Sequence, residues 1–296
     1  MPDQEIETAN PRWPLLSCIR YREVLILQGP PLMGVALSIG KLTVGKLPAV
    51  IVFAAASFIL VAHIWSLNDW ADIHTDRDDR NKSARVFSGK GVNPREMLWL
   101  SISLLVASLG LYALLGPRTL LIGALIAFMG FLYSHGGINA KGNPLVSSAT
   151  HLAGGMLHFL LGYSLFAAID WKAAMIASFF AVVFTAGHAT QEVQDYEVDR
   201  LKGIRTNAVV FGKIPVFIAS FAGFALAYGD LLWLSLAGIL QHRLWPLPAM
   251  LFPLQAYWSI EALRRNLGHD CVMRLRSRYR VLFAIIGLGI VSSSFF

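Results

Sequence analysis

An acidic cluster directly follows one of the long uncharged stretches of this sequence. The uncharged stretch ends at Asn68, and Asp69, Asp72 and Asp76 follow within the motif NDWADIHTD. Residues four apart share one face of a helix. The spacing therefore predicts a stripe of oxygen ligands formed by Asn68, Asp72 and Asp76 at the end of a helix, with Asp69 beside it.

A second acidic cluster, QEVQDYEVDRLKGIRT at 191–206, repeats this pattern. Asp195 and Asp199 are again four apart, Glu192 lies one turn earlier, and the cluster again follows an uncharged stretch. Hard divalent cations prefer oxygen ligands, and Mg2+ usually joins a few carboxylates to the oxygens of a substrate phosphate. Two such clusters facing one cavity predict a Mg2+ site that binds a diphosphate. The predicted metal ligands are Asn68, Asp69, Asp72, Asp76, Asp195 and Asp199.

The alternative interpretation is that both clusters are ordinary solvated loop charges. Single acidic residues are common at the ends of membrane spans. Two clusters with the same spacing, each beside basic residues, favour a binding site instead. Asp78 and Asp79, which continue beyond the first stripe, are interpreted as solvated charge.

The elements that position these clusters belong to a chain with the composition of a polytopic membrane protein. Of its 296 residues 55% are hydrophobic and 15% are charged, and the mean hydropathy is +0.56. A soluble domain carries about 25% charged residues, and a spanning helix needs roughly 20 mostly apolar ones. The uncharged stretches predict an all-α membrane bundle of about nine transmembrane helices around a central cavity, with residues 1–296 as one domain. The predicted spans are 24–40, 47–68, 97–117, 119–140, 142–169, 173–191, 214–240, 244–260 and 281–296. Residues 231–242 are an alternative short span.

The distribution of basic residues predicts the side on which the clusters lie. With the N-terminus inside, 20 Lys and Arg fall on the inner side and five on the outer side. This asymmetry follows the positive-inside rule, so both acidic clusters are expected at the cytosolic face. The net charge of +7 is then a consequence of topology, with some attraction to anionic lipid headgroups, and gives no reason to invoke nucleic acid.

Three motifs in order resemble the signatures of the UbiA-type intramembrane prenyltransferases. NDWADIHTD fits NDxxDxxxD, YSHGGINAK at 133–141 is similar to a Tyr-Ser loop with a Lys eight residues on, and DYEVDRLKGIRT fits DxxxD followed by Gly and a basic-Thr pair. The resemblance covers nearly the whole chain. It implies a nine-helix bundle with a central cavity capped on the cytosolic side, and Mg2+-dependent transfer of a prenyl group from a prenyl diphosphate.

The sequence departs from this family pattern in two loops. The middle loop usually has prolines after Tyr-Ser and an Arg two residues before the Lys, where this chain has HGG at 135–137 and Asn139. An Arg-Pro pair is frequent after the first motif, where this chain has Arg85 followed by Val86. These differences leave diphosphate chemistry in place but weaken an assignment to the best-known acceptors, such as 4-hydroxybenzoate.

Basic and aromatic side chains near the clusters complete the predicted site. Lys141 is the only basic residue between Arg118 and Lys172 and is expected to clamp the diphosphate. Tyr133 is expected to stabilise an allylic cation or to hydrogen-bond the diphosphate. The predicted catalytic residues are Asp72, Asp76, Asp195, Asp199 and Lys141. The predicted substrate-binding residues are Asn68, Asp69, Arg85, Tyr133, Lys202, Arg205, Arg22, His158 and His188.

Several of these assignments have a structural alternative. Lys202 equally fits a positive-inside charge, and the basic pair Arg20 and Arg22 equally fits a membrane anchor. Intramembrane histidines tend to face the bundle interior. His158 and His188 are therefore expected to contact the acceptor or to take its proton, whereas His63 and His151 are interpreted as satisfied structural groups.

The predicted donor is a polyprenyl diphosphate, and the predicted acceptor is an aromatic or quinone-precursor ring. The alternatives are a family member with a polar lipid or sugar phosphate as acceptor, or a terpene cyclase with no acceptor. A membrane transporter or lipid-binding protein is the alternative outside enzymes. A transporter is expected to show inverted repeats and helices broken at mid-membrane, whereas these acidic motifs lie at the ends of spans.

Overall fold

The computed structural model describes residues 13–73, 87–134 and 140–295, and in these ranges the secondary structure is entirely helical. The predicted site residues Asp76 and Arg85 lie outside the described residues, as do His135, Gly136, Gly137 and Asn139. The N-terminal part forms α1 (Pro14–Ser17), α2 (Tyr21–Ile26), α3 (Gly29–Ser38) and α4 (Leu47–Ala71).

The remaining helices follow with short connections. They are α5 (Pro94–Leu115), α6 (Pro117–Ser134), α7 (Pro144–Tyr163), α8 (Trp171–Leu201), α9 (Asn207–Phe211), α10 (Lys213–Leu236), α11 (Pro246–Arg264) and α12 (His269–Phe295). Single 3-10 turns lie at Val44–Lys46, Phe87–Lys90 and His242–Leu244. The predicted all-α class is therefore confirmed.

Residues with known capping roles mark where several of these helices begin. Proline occupies the first turn of α3, α4, α5, α7 and α11, where its missing N–H has no helical partner to lose. Asn93 and Glu96 form a capping box at α5. The Asn143 side chain accepts from the backbone N–H groups of Leu145 and Val146 at α7. The caps at Asn93 and Asn143 start α5 and α7 at the same end of the bundle as the acidic clusters.

Among the described residues, six helices are long and apolar enough to cross a membrane. They are Val44–Ala71, Pro94–Leu115, Pro117–Ser134, Pro144–Tyr163, Trp171–Leu201 and Lys213–Leu236. The other three predicted spans correspond to α2 with α3, to α11, and to α12. α11 has Pro253 inside the helix, and the first half of α12 is strongly basic. The alternative span at 231–242 is not a separate helix, because α10 continues to Leu236.

The first predicted span is divided into two short helices. α2 ends at Ile26 and α3 begins at Gly29, directly before Pro30 and Pro31, neither of which can donate a backbone hydrogen bond. The Gln28 side chain Nε2 donates to the Val24 carbonyl at 3.0 Å and so satisfies one of the carbonyls left free by the break.

Small residues allow α3 to lie close to α7. A Cβ atom added at Gly162 would overlap the Pro31 carbonyl, and one added at Gly34 would overlap the Phe159 carbonyl. Close backbone approach through small residues is the usual way in which membrane helices gain van der Waals contact. α3 therefore packs tightly against α7.

The last helix returns to the first part of the chain and closes the bundle. α12 packs against α3, α8 and α11. Arg280 Nη2 donates to Glu23 Oε2 at 3.1 Å, and the Met33 side chain lies against Gly287. The ends of α4 and α8 and the start of α12 thereby come to one end of the bundle.

Candidate functional site

The first acidic cluster lies where α4 ends. The helix stops at Ala71 with Asp72 at its C-cap, and the Asp72 backbone N–H bonds the Asn68 carbonyl at 2.9 Å. The Lys141 Nζ donates to Asp72 Oδ2 at 2.7 Å. A cation also interacts favourably with the C-terminal end of a helix dipole. The basic residue of the middle loop is thus in direct contact with the first acidic cluster.

A second cation contacts the same cluster from the N-terminal segment. Arg20 Nε donates to Asp69 Oδ2 at 3.0 Å, and Arg20 Nη2 contacts Asp69 Oδ1. The guanidinium also lies over the Trp65 ring, 4.9 Å from its centroid. Paired donors of this kind match the two carboxylate oxygens in geometry. The contact is made by Arg20, whereas Arg22, the residue predicted to bind substrate, is exposed.

The second acidic cluster lies inside a helix rather than in a loop. α8 continues to Leu201, so Glu192, Asp195 and Asp199 project from its last turns at intervals of three and four residues. Glu192 and Asp199 are buried, and Asp195 is half-buried. Burying a carboxylate is costly without polar partners. This end of α8 therefore faces a polar environment inside the bundle.

Glu192 is the centre of a hydrogen-bonded network that joins three helices. Its Oε1 lies 3.0 Å from His188 Nε2 and accepts from Asn207 Nδ2 at 3.1 Å. The Asn207 amide also lies 3.2 Å from Ser148 Oγ, and His188 Nε2 lies 2.7 Å from Ser147 Oγ. Among the described residues, Glu192 Oε2 has no hydrogen-bond partner. The network holds the His188 side chain of α8 against α7, close to the start of α9.

A stack of rings lies beside the second acidic cluster. The His151 and His188 rings are parallel within 7°, with centroids 3.5 Å apart. Tyr133 meets His151 edge to face at 5.3 Å, and its ring lies 6.5 Å from that of His188, which contacts Glu192. Lys141, eight residues after Tyr133, contacts Asp72 of the first cluster. Tyr133 and Lys141 therefore link the middle loop to the ends of both α8 and α4.

α12 contributes a guanidinium to the other side of α8. Arg276 Nη1 donates to Gln194 Oε1 at 2.7 Å, and Arg276 Nη2 donates to Gln191 Oε1 at 3.0 Å. His269 Nδ1 lies 3.1 Å from the Gln194 carbonyl. The last helix is thereby attached to α8 at the level of the acidic stripe.

The donor atoms of the site fit Mg2+ by their chemistry. Asp69 and Asp72 of α4, and Asp195 and Asp199 of α8, supply carboxylate oxygens, the ligand type that Mg2+ takes. Within the described ranges, no three His, Cys, Asp or Glu side chains stand close enough together to hold a metal ion. Mg2+ usually completes its shell with water and substrate phosphate oxygens, so a few carboxylates suffice.

The other predicted site residues that the structure describes, Lys202, Arg205 and His158, lie at different depths in the bundle. Lys202 is the C-cap of α8, and Arg205 is exposed in the following turn. His158 is buried in α7, 6.0 Å from the Phe184 ring, and its Nδ1 has no partner among the described residues. His158 lies two turns deeper in α7 than His151, away from the acidic ends.

Four residues that make polar contacts near the acidic end of α8 were not predicted from the sequence. Ser147, Ser148 and Asn207 are common polar residues whose types carry no signal of a site. Arg276 is one of the basic residues that the sequence places on the inner face. Arg276 lies four residues before Arg280, whose side chain contacts Glu23 of α2. This spacing is the one feature of the sequence that indicates an interior face of α12.

The fold and the motifs define the protein class, an intramembrane helix bundle with two acidic helix ends at one site. The family model of the UbiA prenyltransferase family matches residues 29–283. The chain therefore belongs to the UbiA prenyltransferase family, a family of enzymes that are multi-pass integral membrane proteins. The family resemblance inferred from the motifs is confirmed. No curated protein matches the sequence.

Solved structures share this fold at low sequence identity. A UbiA homologue from Archaeoglobus fulgidus bound to GPP and Mg2+ aligns with a TM-score of 0.70 and 18% identity over 93% of this chain and 99% of that chain. An apo UbiA homologue from Aeropyrum pernix K1 aligns with a TM-score of 0.71 and 20% identity over 93% and 98%. A structure described for digeranylgeranylglyceryl phosphate synthase gives 0.72 and 17% over 95% and 97%.

Proposed function

We propose that this protein transfers a prenyl group from a polyprenyl diphosphate to an aromatic or quinone-precursor acceptor, in a Mg2+-dependent reaction. Residues 1–296 act as one membrane domain. The observation that carries the proposal is the contact of Lys141 with Asp72, because it joins the middle loop to the first acidic cluster. Tyr133, where this loop begins, lies 6.5 Å from the His188 ring beside the second cluster. The A. fulgidus homologue, which was solved with GPP and Mg2+, supports the choice of donor and metal.

The diphosphate binds between the ends of α4 and α8. Asp69, Asp72 and Asp76 on one side and Asp195 and Asp199 on the other would hold Mg2+, with Asn68 as an additional oxygen ligand or an orienting group. When bound there, Mg2+ supplies the positive charge that neutralises the diphosphate as it leaves.

Basic side chains complete the recognition of the diphosphate. Lys141 contacts Asp72 in the structure. It is therefore close enough to contact a phosphate oxygen that binds next to this carboxylate. A fixed cation of this kind stabilises the charge that develops on the leaving group. The further proposed contacts to the diphosphate are Arg85, Lys202 and Arg205, and Arg22 is proposed to contact the acceptor at the mouth of the first helix.

The reaction breaks the allylic C–O bond, and the diphosphate leaves with the electron pair. Tyr133 faces the carbon that becomes cationic and stabilises it with its ring. The acceptor then forms a bond to this carbon and loses a proton. His188, positioned by Ser147 and Glu192, is the group proposed to receive the proton, and His158 is proposed to contact the apolar part of the acceptor.

The site is proposed to face the cytosol. Twenty Lys and Arg fall on the side of the acidic clusters and five on the other side. This asymmetry sets orientation in multi-pass proteins. The donor and Mg2+ are therefore expected to reach the site from the cytosol.

The test is diphosphate release and prenyl transfer by the purified protein in lipid nanodiscs. Geranylgeranyl diphosphate is supplied with a lipid extract, with Mg2+ or with excess EDTA, and products are identified by mass spectrometry. A Mg2+-dependent prenylated product supports the proposal and identifies the acceptor. Cyclised prenyl products without an acceptor would instead establish a terpene cyclase, and no Mg2+-dependent consumption of any prenyl diphosphate would reject donor chemistry at this site.

A further inference from the structure

Four exposed arginines lie at the junction where α11 ends and α12 begins. Arg264 and Arg265 are the last residue and the C-cap of α11, and Arg274 and Arg278 lie one turn apart on α12. Arg265 Nη2 lies 2.7 Å from Glu261 Oε1, and Arg278 Nη1 lies 3.4 Å from Glu261 Oε2. One carboxylate therefore holds a guanidinium from each helix, and the four arginines form one basic patch.

The positive charge of this patch exceeds the negative charge beside it. Within the described part of the chain, Arg264 and Arg274 form no ion pair. Besides Glu261, the nearest carboxylate along the chain is that of Asp270, one turn before Arg274. Two carboxylates against four guanidiniums leave the surface positive. Such a surface attracts anions, and the planar guanidinium matches the oxygens of a phosphate in geometry.

Two aromatic residues place the patch at the edge of the membrane. The Arg278 guanidinium lies over the Trp258 ring, 5.2 Å from its centroid, and the neighbouring Tyr257 is exposed. Trp and Tyr concentrate at the level of the lipid headgroups. His269, at the start of α12, contacts the Gln194 carbonyl of α8. The patch therefore lies at headgroup level, at the end of the bundle that carries the acidic clusters.

Exposed apolar side chains continue from the patch along one face of each helix. On α12 they follow Arg278 at intervals of three and four residues, which keeps them on its face of the helix. They are Val281, Ile285 and Leu288. On α11 the exposed residues on the face of Arg264 are Met250, Leu254 and Tyr257. A cationic end joined to apolar faces is complementary to a phospholipid, whose phosphate lies above its acyl chains.

We propose that the basic patch binds an anionic phospholipid of the surrounding bilayer, with the headgroup phosphate at Arg274 and Arg278 and an acyl chain along the exposed face of α12. This inference is independent of the proposed function, because no residue of the patch belongs to the donor or acceptor site. The occupant is a bilayer lipid rather than a soluble phosphate, since the apolar faces extend directly from the arginines. The bound lipid stabilises the junction of α11 and α12, because a ligand that binds only the folded protein adds to its stability.

The test measures lipid binding to the delipidated protein in detergent. Phosphatidylglycerol and phosphatidylcholine with the same acyl chains are titrated, and bound lipid is counted by native mass spectrometry. The test variant combines Arg274→Gln with Arg278→Gln. The control combines Arg95→Gln with Arg200→Gln, which removes the same charge from exposed positions at the same end of the bundle but outside the patch. Arg274→Gln alone is the second test variant, because it breaks no ion pair and so leaves folding unaffected.

Wild type is expected to bind phosphatidylglycerol roughly tenfold more tightly than phosphatidylcholine, and to unfold at a higher temperature when it is bound. The double test variant is expected to weaken phosphatidylglycerol binding by roughly ten- to thirtyfold, because each basic side chain near an anionic lipid contributes a factor of about five. Arg274→Gln alone is expected to lose about fivefold, and the control variant less than about twofold.

Four results would overturn the inference. Equal binding of the two lipids would show that the headgroup charge is not recognised. An equal loss in the test and control variants would show that only the overall charge of this end attracts lipid. Stabilisation by inorganic phosphate as strong as that by phosphatidylglycerol would identify a soluble anion as the ligand. Displacement of bound phosphatidylglycerol by geranylgeranyl diphosphate at equal concentration would identify the prenyl donor as the occupant.

Discussion

Lys141 Nζ lies 2.7 Å from Asp72 Oδ2, although the two residues are 69 positions apart in the chain. The contact brings the loop between α6 and α7 onto the end of α4. A half-buried ion pair at the mouth of the proposed substrate site leaves both groups able to exchange their partner for a phosphate oxygen or a metal ion.

Replacing Lys141 tests whether this pair serves the substrate. Lys141→Ala is expected to lower kcat/KM for the prenyl diphosphate by roughly ten- to 150-fold, the equivalent of about 1.5–3 kcal/mol for a charge-assisted contact. Part of the loss is expected in kcat, because the contact strengthens as charge develops on the leaving group. Lys141→Arg is expected to recover only part of the activity, since a guanidinium is longer and planar.

The control for Lys141 is Lys172→Ala at the opposite end of the bundle. Rates are normalised to folded protein by size-exclusion chromatography. If Lys141 only anchors the topology, Arg substitutes fully and Ala lowers expression rather than turnover. Near-wild-type kinetics for Lys141→Ala would remove this residue from the site.

The two acidic clusters are expected to be jointly necessary. Asp72→Ala and Asp199→Ala should each lower turnover by roughly a hundredfold or more, because each removes charge where the diphosphate is released. Both should leave thermal unfolding in detergent close to wild type. Asp230→Asn is the matched control, since this carboxylate of α10 bonds Ser178 far from the site. Full activity in either Asp72→Ala or Asp199→Ala contradicts a site shared by α4 and α8.

Cysteine labelling tests the proposed sidedness. In a background with both native cysteines replaced by serine, Arg95→Cys and Leu201→Cys mark the end with the acidic clusters, and Lys41→Cys and Lys172→Cys mark the other end. All four positions are exposed. A membrane-impermeant maleimide is expected to label the first two only from the cytosolic side and the last two only from the outside. Opposite accessibility of Arg95→Cys and Leu201→Cys would contradict a common site.

Glu192 is expected to contribute to stability as well as to the position of His188. Glu192→Ala leaves His188 Nε2 and Asn207 Nδ2 without their common acceptor, at a cost of about 1–3 kcal/mol. Glu192→Gln should cost less, because its amide oxygen can still accept. Glu197→Ala, an exposed carboxylate on the same helix, is the control. Thermal unfolding in detergent measures all three, and equal losses for Glu192→Ala and Glu197→Ala would show that the network adds no stability.

The close approach of α3 to α7 predicts a position-specific effect of one methyl group. Gly162→Ala is expected to lower the unfolding temperature in detergent, because the new Cβ overlaps the Pro31 carbonyl and backbone cannot move aside cheaply. Gly154→Ala on the same helix meets no atom within 4 Å and is the control. An equal, small effect of both substitutions would show that the two helices are free to separate.

The sequence by itself determined the class of the protein and the position of its acidic groups. Uncharged stretches of about 20 residues favour apolar helices in a membrane, where backbone groups must be satisfied within the helix. The four-residue spacing of Asp195 and Asp199 depends only on the helical repeat, and α8 carries both on one face as predicted. The family motifs carried the same local information and led to the correct family.

Tertiary structure decided which groups meet. Arg20 and Arg22 are equivalent in the sequence, but only Arg20 contacts Asp69, because Arg20 is the N-cap of α2 whereas Arg22 lies in the helix on an exposed face. The partners of Asp72 and of Arg276 come from residues 69 and more than 80 positions away. Such contacts depend on how the helices pack and rotate against one another, and no local pattern encodes that arrangement.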